Sequence, residues 1–152
     1  MSNSIKKSNT YRRDRNETEF DTLDKARSLK RRIARYVMND KKVPKRWRYI
    51  EGVKAIDYAI KIRDCVSRAN DIMLDPEHFD QEKADERLKY QDYALSYCNI
   101  LQLQLDDIIE ECEGATHDNM APIIDELIKL IRMTVAWKNS DKNRMGNCKK
   151  KS

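Results

Sequence analysis

The chain has 152 residues, 39% of them hydrophobic and 38% charged, with only three glycines and three prolines. It is long enough for one domain whose core needs neither a metal nor a disulfide, and too poor in turn residues for an all-β fold, which requires them every ~8–12 positions. The net charge of +5 conceals a sorting: Lys25 to Arg48 hold eleven Lys/Arg against Asp40 alone, and Asp71 to Asp118 hold fourteen Asp/Glu against Lys83, Arg87 and Lys89. Blocks of this kind attract polyanions, and also let copies of one chain attract each other.

Residues 1–15 are polar, basic and aperiodic, which predicts a mobile tail. The first helical segment is expected over Glu17 to Asn39. Asn16 can cap it, and Glu19 stands at the reciprocal capping-box position. Thr22, Ala26, Leu29, Ile33, Tyr36 and Val37 recur at three/four spacing and mark the core face. Arg27, Arg31 and Arg35 lie one turn apart on the far side, flanked by Lys25 and Arg32, as a basic stripe. A short connection, Asp40 to Val43, carries Lys41 and Lys42. Pro44 suits the first turn of the next helix, where its missing N–H costs nothing.

The second segment runs to about Met73, with Lys45, Arg46, Trp47 and Arg48 in its first turns. Gly52, Ala55, Ala59, Ile62, Val66, Ala69 and Met73 form one stripe, and Tyr49, Val53, Ile56 and Ile60 a second, so that two neighbouring helices are expected against it. Asp75-Pro76-Glu77 reads as a turn that can cap the third segment, Gln81 to Glu113. There Ala84, Leu88, Gln91, Leu95, Cys98, Gln102, Leu105 and Ile109 make one stripe, and Tyr90, Ala94, Tyr97, Leu101 and Ile108 another. Buried, Gln91 and Gln102 need partners; otherwise they sit at a stripe edge. Gly114 stands where a helix-ending glycine belongs. Thr116 or Asp118 can cap the fourth segment, which runs to about Lys138 on Met120, Ile123, Leu127, Leu130, Ile131, Thr134 and Trp137. Residues from Asn139 on read as a polar, basic tail. Four helices with short links predict an all-α, antiparallel up-down-up-down four-helix bundle over residues 16–140, with tails at 1–15 and 141–152.

This topology puts the basic first turn beside the acidic end of the third helix (Asp106, Asp107, Glu110, Glu111, Glu113). Cations at a helix start and anions at a helix finish each forgo ~0.3–1 kcal/mol, so a compensating use is expected: mutual pairing within or between copies, or phosphate binding by the cations left unpaired, which favours arginine. Trp47 is read either as a plug closing the bundle end or, with Tyr49, as a platform for base stacking. Ile124, Ile128 and Val135 lie partly outside the core face and hint at contacts between copies.

No catalytic constellation is visible. His78 and His117 fall in turns at opposite bundle ends. Cys65, Cys98, Cys112 and Cys148 show no metal-ligand spacing, no Glu-x-x-His motif marks a di-iron site, and no glycine-rich phosphate loop occurs. No cofactor is expected. The polar N-terminus carries no secretory pattern and no apolar run approaches the ~20 residues of a membrane span, so a soluble cytoplasmic protein is expected.

The string Val43-Pro44-Lys45-Arg46-Trp47-Arg48-Tyr49-Ile50-Glu51-Gly52, followed by Ala69-Asn70, by Arg87, Tyr90 and Ala94, and by Val135-Ala136-Trp137-Lys138, resembles the bacterial and phage four-helix-bundle family that contains the accessory variability determinant (Avd) of diversity-generating retroelements. Its sibling branch is encoded by intervening sequences in 23S ribosomal RNA genes. The resemblance spans about Glu17 to Arg144. It implies a barrel-shaped homopentamer with a basic surface, not itself an enzyme, that binds the retroelement reverse transcriptase and nucleic acid, RNA first and DNA second, to support error-prone cDNA synthesis. Carried onto this chain, it makes Lys45, Arg46 and Arg48 part of the nucleic-acid surface, with Arg27, Lys30, Arg31, Arg32, Arg35, Lys41 and Lys42 supplying the rest. Trp47, Tyr49, Ile124, Ile128 and Val135 are the expected contacts between copies. The rival reading is a structural homo-oligomeric module of the 23S intervening-sequence type, in which opposite charges pair between copies and nucleic acid has no specific role.

Overall fold

The structure, a computed structural model, describes residues 17–151, with side chains from 21 to 148. The expected tail at 1–15 and the Asn16/Glu19 cap lie outside what is described. Helix α1 is Glu17–Val37; α2 runs from Lys45–Trp47 through a π-helical turn, Arg48–Gly52, into Val53–Asp71; α3 is Gln81–Glu111 and α4 is His117–Lys151. No strand occurs among the described residues.

Each helix packs chiefly on two neighbours, α1 and α3 each on α2 and α4. Cross-links fix the directions. Lys25 and Tyr36 of α1 meet Glu126 and Asn119 of α4. Lys61 and Arg68 of α2 lie over the rings of Tyr97 and Tyr90 of α3, and Arg87 and Asp92 of α3 meet Asp141 and Lys138 of α4. In every pair the residue numbers rise on one helix as they fall on the other, so the bundle is antiparallel, up-down-up-down.

The core face of α1 is as its spacing predicts, with Thr22, Ala26, Leu29, Ile33, Tyr36 and Val37 all buried. In α2 the small-residue stripe from Gly52 to Ala69 is buried, but Met73 lies beyond the helix end and is exposed. The second stripe holds only from Ile56 onward, because Tyr49 and Val53 face outward. Arg48 explains part of this. Its Nε donates to the Val37 carbonyl at 3.1 Å and Nη2 to the Met38 carbonyl at 3.2 Å, and it pairs with Asp40. It thereby covers carbonyls that α1 leaves free at its end. Gly52 closes the same turn onto Val37, whose Cγ1 would stand 2.4 Å from an added Cβ.

Helix ends follow local chemistry. Asp80, rather than the 75–77 turn, caps α3, accepting from the amides of Glu82 at 3.0 Å and Lys83 at 3.4 Å. At α4, Thr116 Oγ1 accepts from the Asn119 amide at 3.1 Å while Asn119 Oδ1 accepts from the Thr116 amide at 3.0 Å, a reciprocal cap. Gly114 serves close approach and not a left-handed turn. No described residue has positive φ, and a Cβ at Gly114 would stand 1.7 Å from the Lys41 carbonyl oxygen. The α3–α4 link therefore lies directly on the α1–α2 link.

The expected C-terminal tail is instead helix. α4 continues to Lys151, and its buried face runs on from Trp137 through Asp141 and Met145. A carboxylate at the next core position hides this extension from hydropathy. Asp141 is fully buried because Arg87, 2% exposed, grips it: Nε donates to Oδ2 at 2.7 Å and Nη2 to Oδ1 at 3.2 Å. Gln91 Nε2 donates to Asp141 Oδ2 at 2.7 Å, and Arg87 Nη1 donates to the Ile72 carbonyl at 2.7 Å. The Trp137 ring lies 5.3 Å beneath the guanidinium. Gln91 is thus buried with a partner for its amide nitrogen. Gln102 is exposed, and Gln104 takes the other inward place, donating to Glu51.

Candidate nucleic-acid interface

Helix periodicity that buries Leu29 and Ile33 drives Arg27, Arg31, Arg32 and Arg35 to the outside of α1, and all four are exposed. No ion pair among the described residues joins any of them to a carboxylate. Lys30 is half-buried on the flank.

The seam between α1 and α4 carries two depressions. One is lined by Asp21, Asp24, Lys25, Arg27, Ser28 and Arg31 with Met133 opposite, so its charge is mixed. The other, about 430 Å³, is lined by Arg32, Arg35, Tyr36, Asn39 and Lys42, with Asn119, Pro122 and Ile123 opposite. It collects three cations and no carboxylate. The Tyr36 hydroxyl donates to Asn119 Oδ1, and burial pushes its pKa up to about 12, so it stays neutral. Lys42 Nζ rests 4.8 Å from the centre of that ring.

Glu126 of α4 is the acid set among these cations. Its Oε2 lies 3.0 Å from Lys25 Nζ. The adjacent Lys25 ammonium, ahead of the charges of Arg32 and Lys129, holds its carboxyl below the usual range. Lys129 thereby joins the basic face from a different helix, far in sequence from the Lys25–Arg48 block.

The first-turn cations divide. Lys41, Lys45 and Arg46 are exposed, Arg46 lying 5.9 Å from the Trp47 ring centre. Arg48 is occupied by the α1 carbonyls and Asp40, and so leaves the set of candidate phosphate contacts. No ion pair among the described residues joins the turn cations to the acidic end of α3. Those acids crowd one another: loss of hydration, then the charge and hydrogen bond of Glu51, then Asp107 and Glu110, hold Glu111 above the usual carboxyl range.

Of the expected contacts between copies, Trp47 and Ile124 are half-buried and pack on the core, the plug geometry for Trp47. Ile128 is half-buried, Val135 is exposed and Tyr49 is 81% exposed. Ile50 and Val53 are exposed beside Tyr49, an apolar patch that the π-turn places outward and that helical spacing alone does not mark. Burial pushes the thiols of Cys98, Cys65 and Cys112 up, Cys98 to about 12, which suits packing rather than nucleophilic use. Among the described residues no group of three or more His, Cys, Asp or Glu is placed to hold a metal, and no helix is long and apolar enough to cross a membrane.

No family model matches the chain, and no curated protein or solved structure matches it either.

Proposed function

We propose that the chain is a non-enzymatic accessory protein that holds a nucleic-acid strand, template RNA first, on the α1 cations and the α1–α4 seam. A second surface docks the reverse transcriptase of a diversity-generating retroelement, for mutagenic cDNA synthesis. The observation that carries the nucleic-acid part is the row of four exposed guanidiniums on one helix face with no carboxylate partner among the described residues. The polymerase part rests on the resemblance of residues 43–52 to the Avd-like turn. A ring of copies, five in the family's manner, is supported by the Tyr49–Ile50–Val53 patch and by the unneutralised acids around Glu111.

Arg27→Glu, Arg31→Glu and Arg35→Glu together test it. The expected result is unchanged helicity with RNA affinity lowered by at least about tenfold at low salt, because each lost phosphate contact also loses its counterion release. Unchanged affinity overturns the reading. The same patch and acids favour a second reading, a structural homo-oligomer of the 23S intervening-sequence type. Light scattering with RNA titration separates them, since that module forms an oligomer that dissociates with salt and retains no RNA.

A further inference from the structure

Glu126 lies on α4 between the residues that wall the two depressions, without lining either. Along α4 it stands one turn from Ile123, in the wall of the cationic groove, and two turns from Met133, in the wall of the mixed one. Its side chain is 13% exposed, so it reaches the rim of the seam. A carboxylate there repels phosphate and accepts hydrogen bonds only. Lys25 pairs with Oε2, which is buried, and leaves Oε1 as the oxygen that could accept from a strand. Arg27 and Arg31 on one side, and Arg32, Arg35 and Lys42 on the other, are the groups that would seat phosphates.

Between two successive phosphates of any strand lies a sugar. Ribose offers a hydroxyl donor at that point and deoxyribose offers none, which is the feature by which proteins tell RNA from DNA. We infer that Glu126 makes the seam select a ribose strand over a deoxyribose strand, by accepting from a 2′-hydroxyl while the flanking cations hold the phosphates. The inference rests on the nucleic-acid reading above and names the substrate class for it.

The test titrates the full-length chain with one unstructured sequence made as RNA, as DNA and as 2′-O-methyl RNA, which keeps the ribose substituent but loses the donor. Wild-type protein is expected to bind RNA several-fold tighter than DNA, with the methylated strand grouped with DNA. Glu126→Met, which keeps length and helix propensity but removes charge and strong acceptor, is expected to raise affinity for DNA more than for RNA and so to erase the preference. Methylated RNA binding as RNA does, or a variant that strengthens RNA and DNA equally, reduces Glu126 to an ordinary repulsive charge and overturns the inference while the nucleic-acid reading stands. Binding of no strand overturns both. The methylated strand needs no mutation, so the test survives a variant that folds poorly.

Discussion

Asp141→Asn should be the most damaging conservative change in the molecule. The substitution keeps shape and removes one charge from a pair whose members are 0% and 2% exposed. Arg87 then keeps its other contacts, the Ile72 carbonyl and the Trp137 face among them, but loses the charge at position 141. Removing one partner of a buried ion pair costs about 3–5 kcal/mol. For a domain of this size 1 kcal/mol moves the melting midpoint by roughly 2–4 °C, so a fall of roughly 6–20 °C is expected. The assay is urea and thermal unfolding followed by helical circular dichroism. Arg87→Met with Asp141→Leu should recover most of the loss, because the pair's mutual attraction largely offsets its desolvation. Asp92→Asn breaks a partly exposed bridge to Lys138 and should cost no more than about 1 kcal/mol. A cost for Asp141→Asn as small as that for Asp92→Asn refutes the view that this pair anchors the last third of α4.

Three further predictions concern glycines, caps and acid. Gly114→Ala drives a methyl into the Lys41 carbonyl and should cost about 1–3 kcal/mol or more, whereas Gly146→Ala meets nothing within 4 Å in a helix and should gain about 0.5–1 kcal/mol; paired unfolding curves check both. Thr116→Ala removes the α4 cap and should cost about 1 kcal/mol in the same experiment. Glu126 has a lowered folded pKa, so its contribution is present above its ordinary value of 4.5 and is lost as pH falls through the folded value. Glu111 is raised and acts in the opposite sense, opposing the fold at neutral pH and ceasing to do so on protonation. Stability against pH should therefore fall less steeply in acid for Glu126→Gln than for wild type, and a parallel curve contradicts the assignment.

Where apolar residues recur at helical spacing, sequence and structure agree, as along α1 from Thr22 to Val37 and along α4 from Met120 to Trp137. Disagreement begins where a polar group does a core residue's work. Asp141 reads as the start of a tail because its partner Arg87 lies 54 residues earlier, and no local pattern links them. Arg48 reads as one cation in a basic run, yet its reach to the Val37 and Met38 carbonyls depends on the π-turn, which departs from 3.6-residue spacing. Tyr49 and Val53 are displaced from their expected stripe at that same turn. The candidate interface divides likewise. The α1 arginine row is legible because one helix carries it, whereas Glu126 and Lys129 join it only through the packing of α4 on α1.

The salt dependence of RNA binding tests the central claim most directly. If Arg27, Arg31, Arg32 and Arg35 each neutralise a phosphate of a single strand, the slope of log affinity against log salt should be about −3, from roughly 0.7 per contact. Replacing Arg27, Arg31 and Arg35 by Gln should flatten that slope by about 2 units. An unchanged slope in the triple variant, or binding that ignores salt in the wild-type chain, contradicts the account.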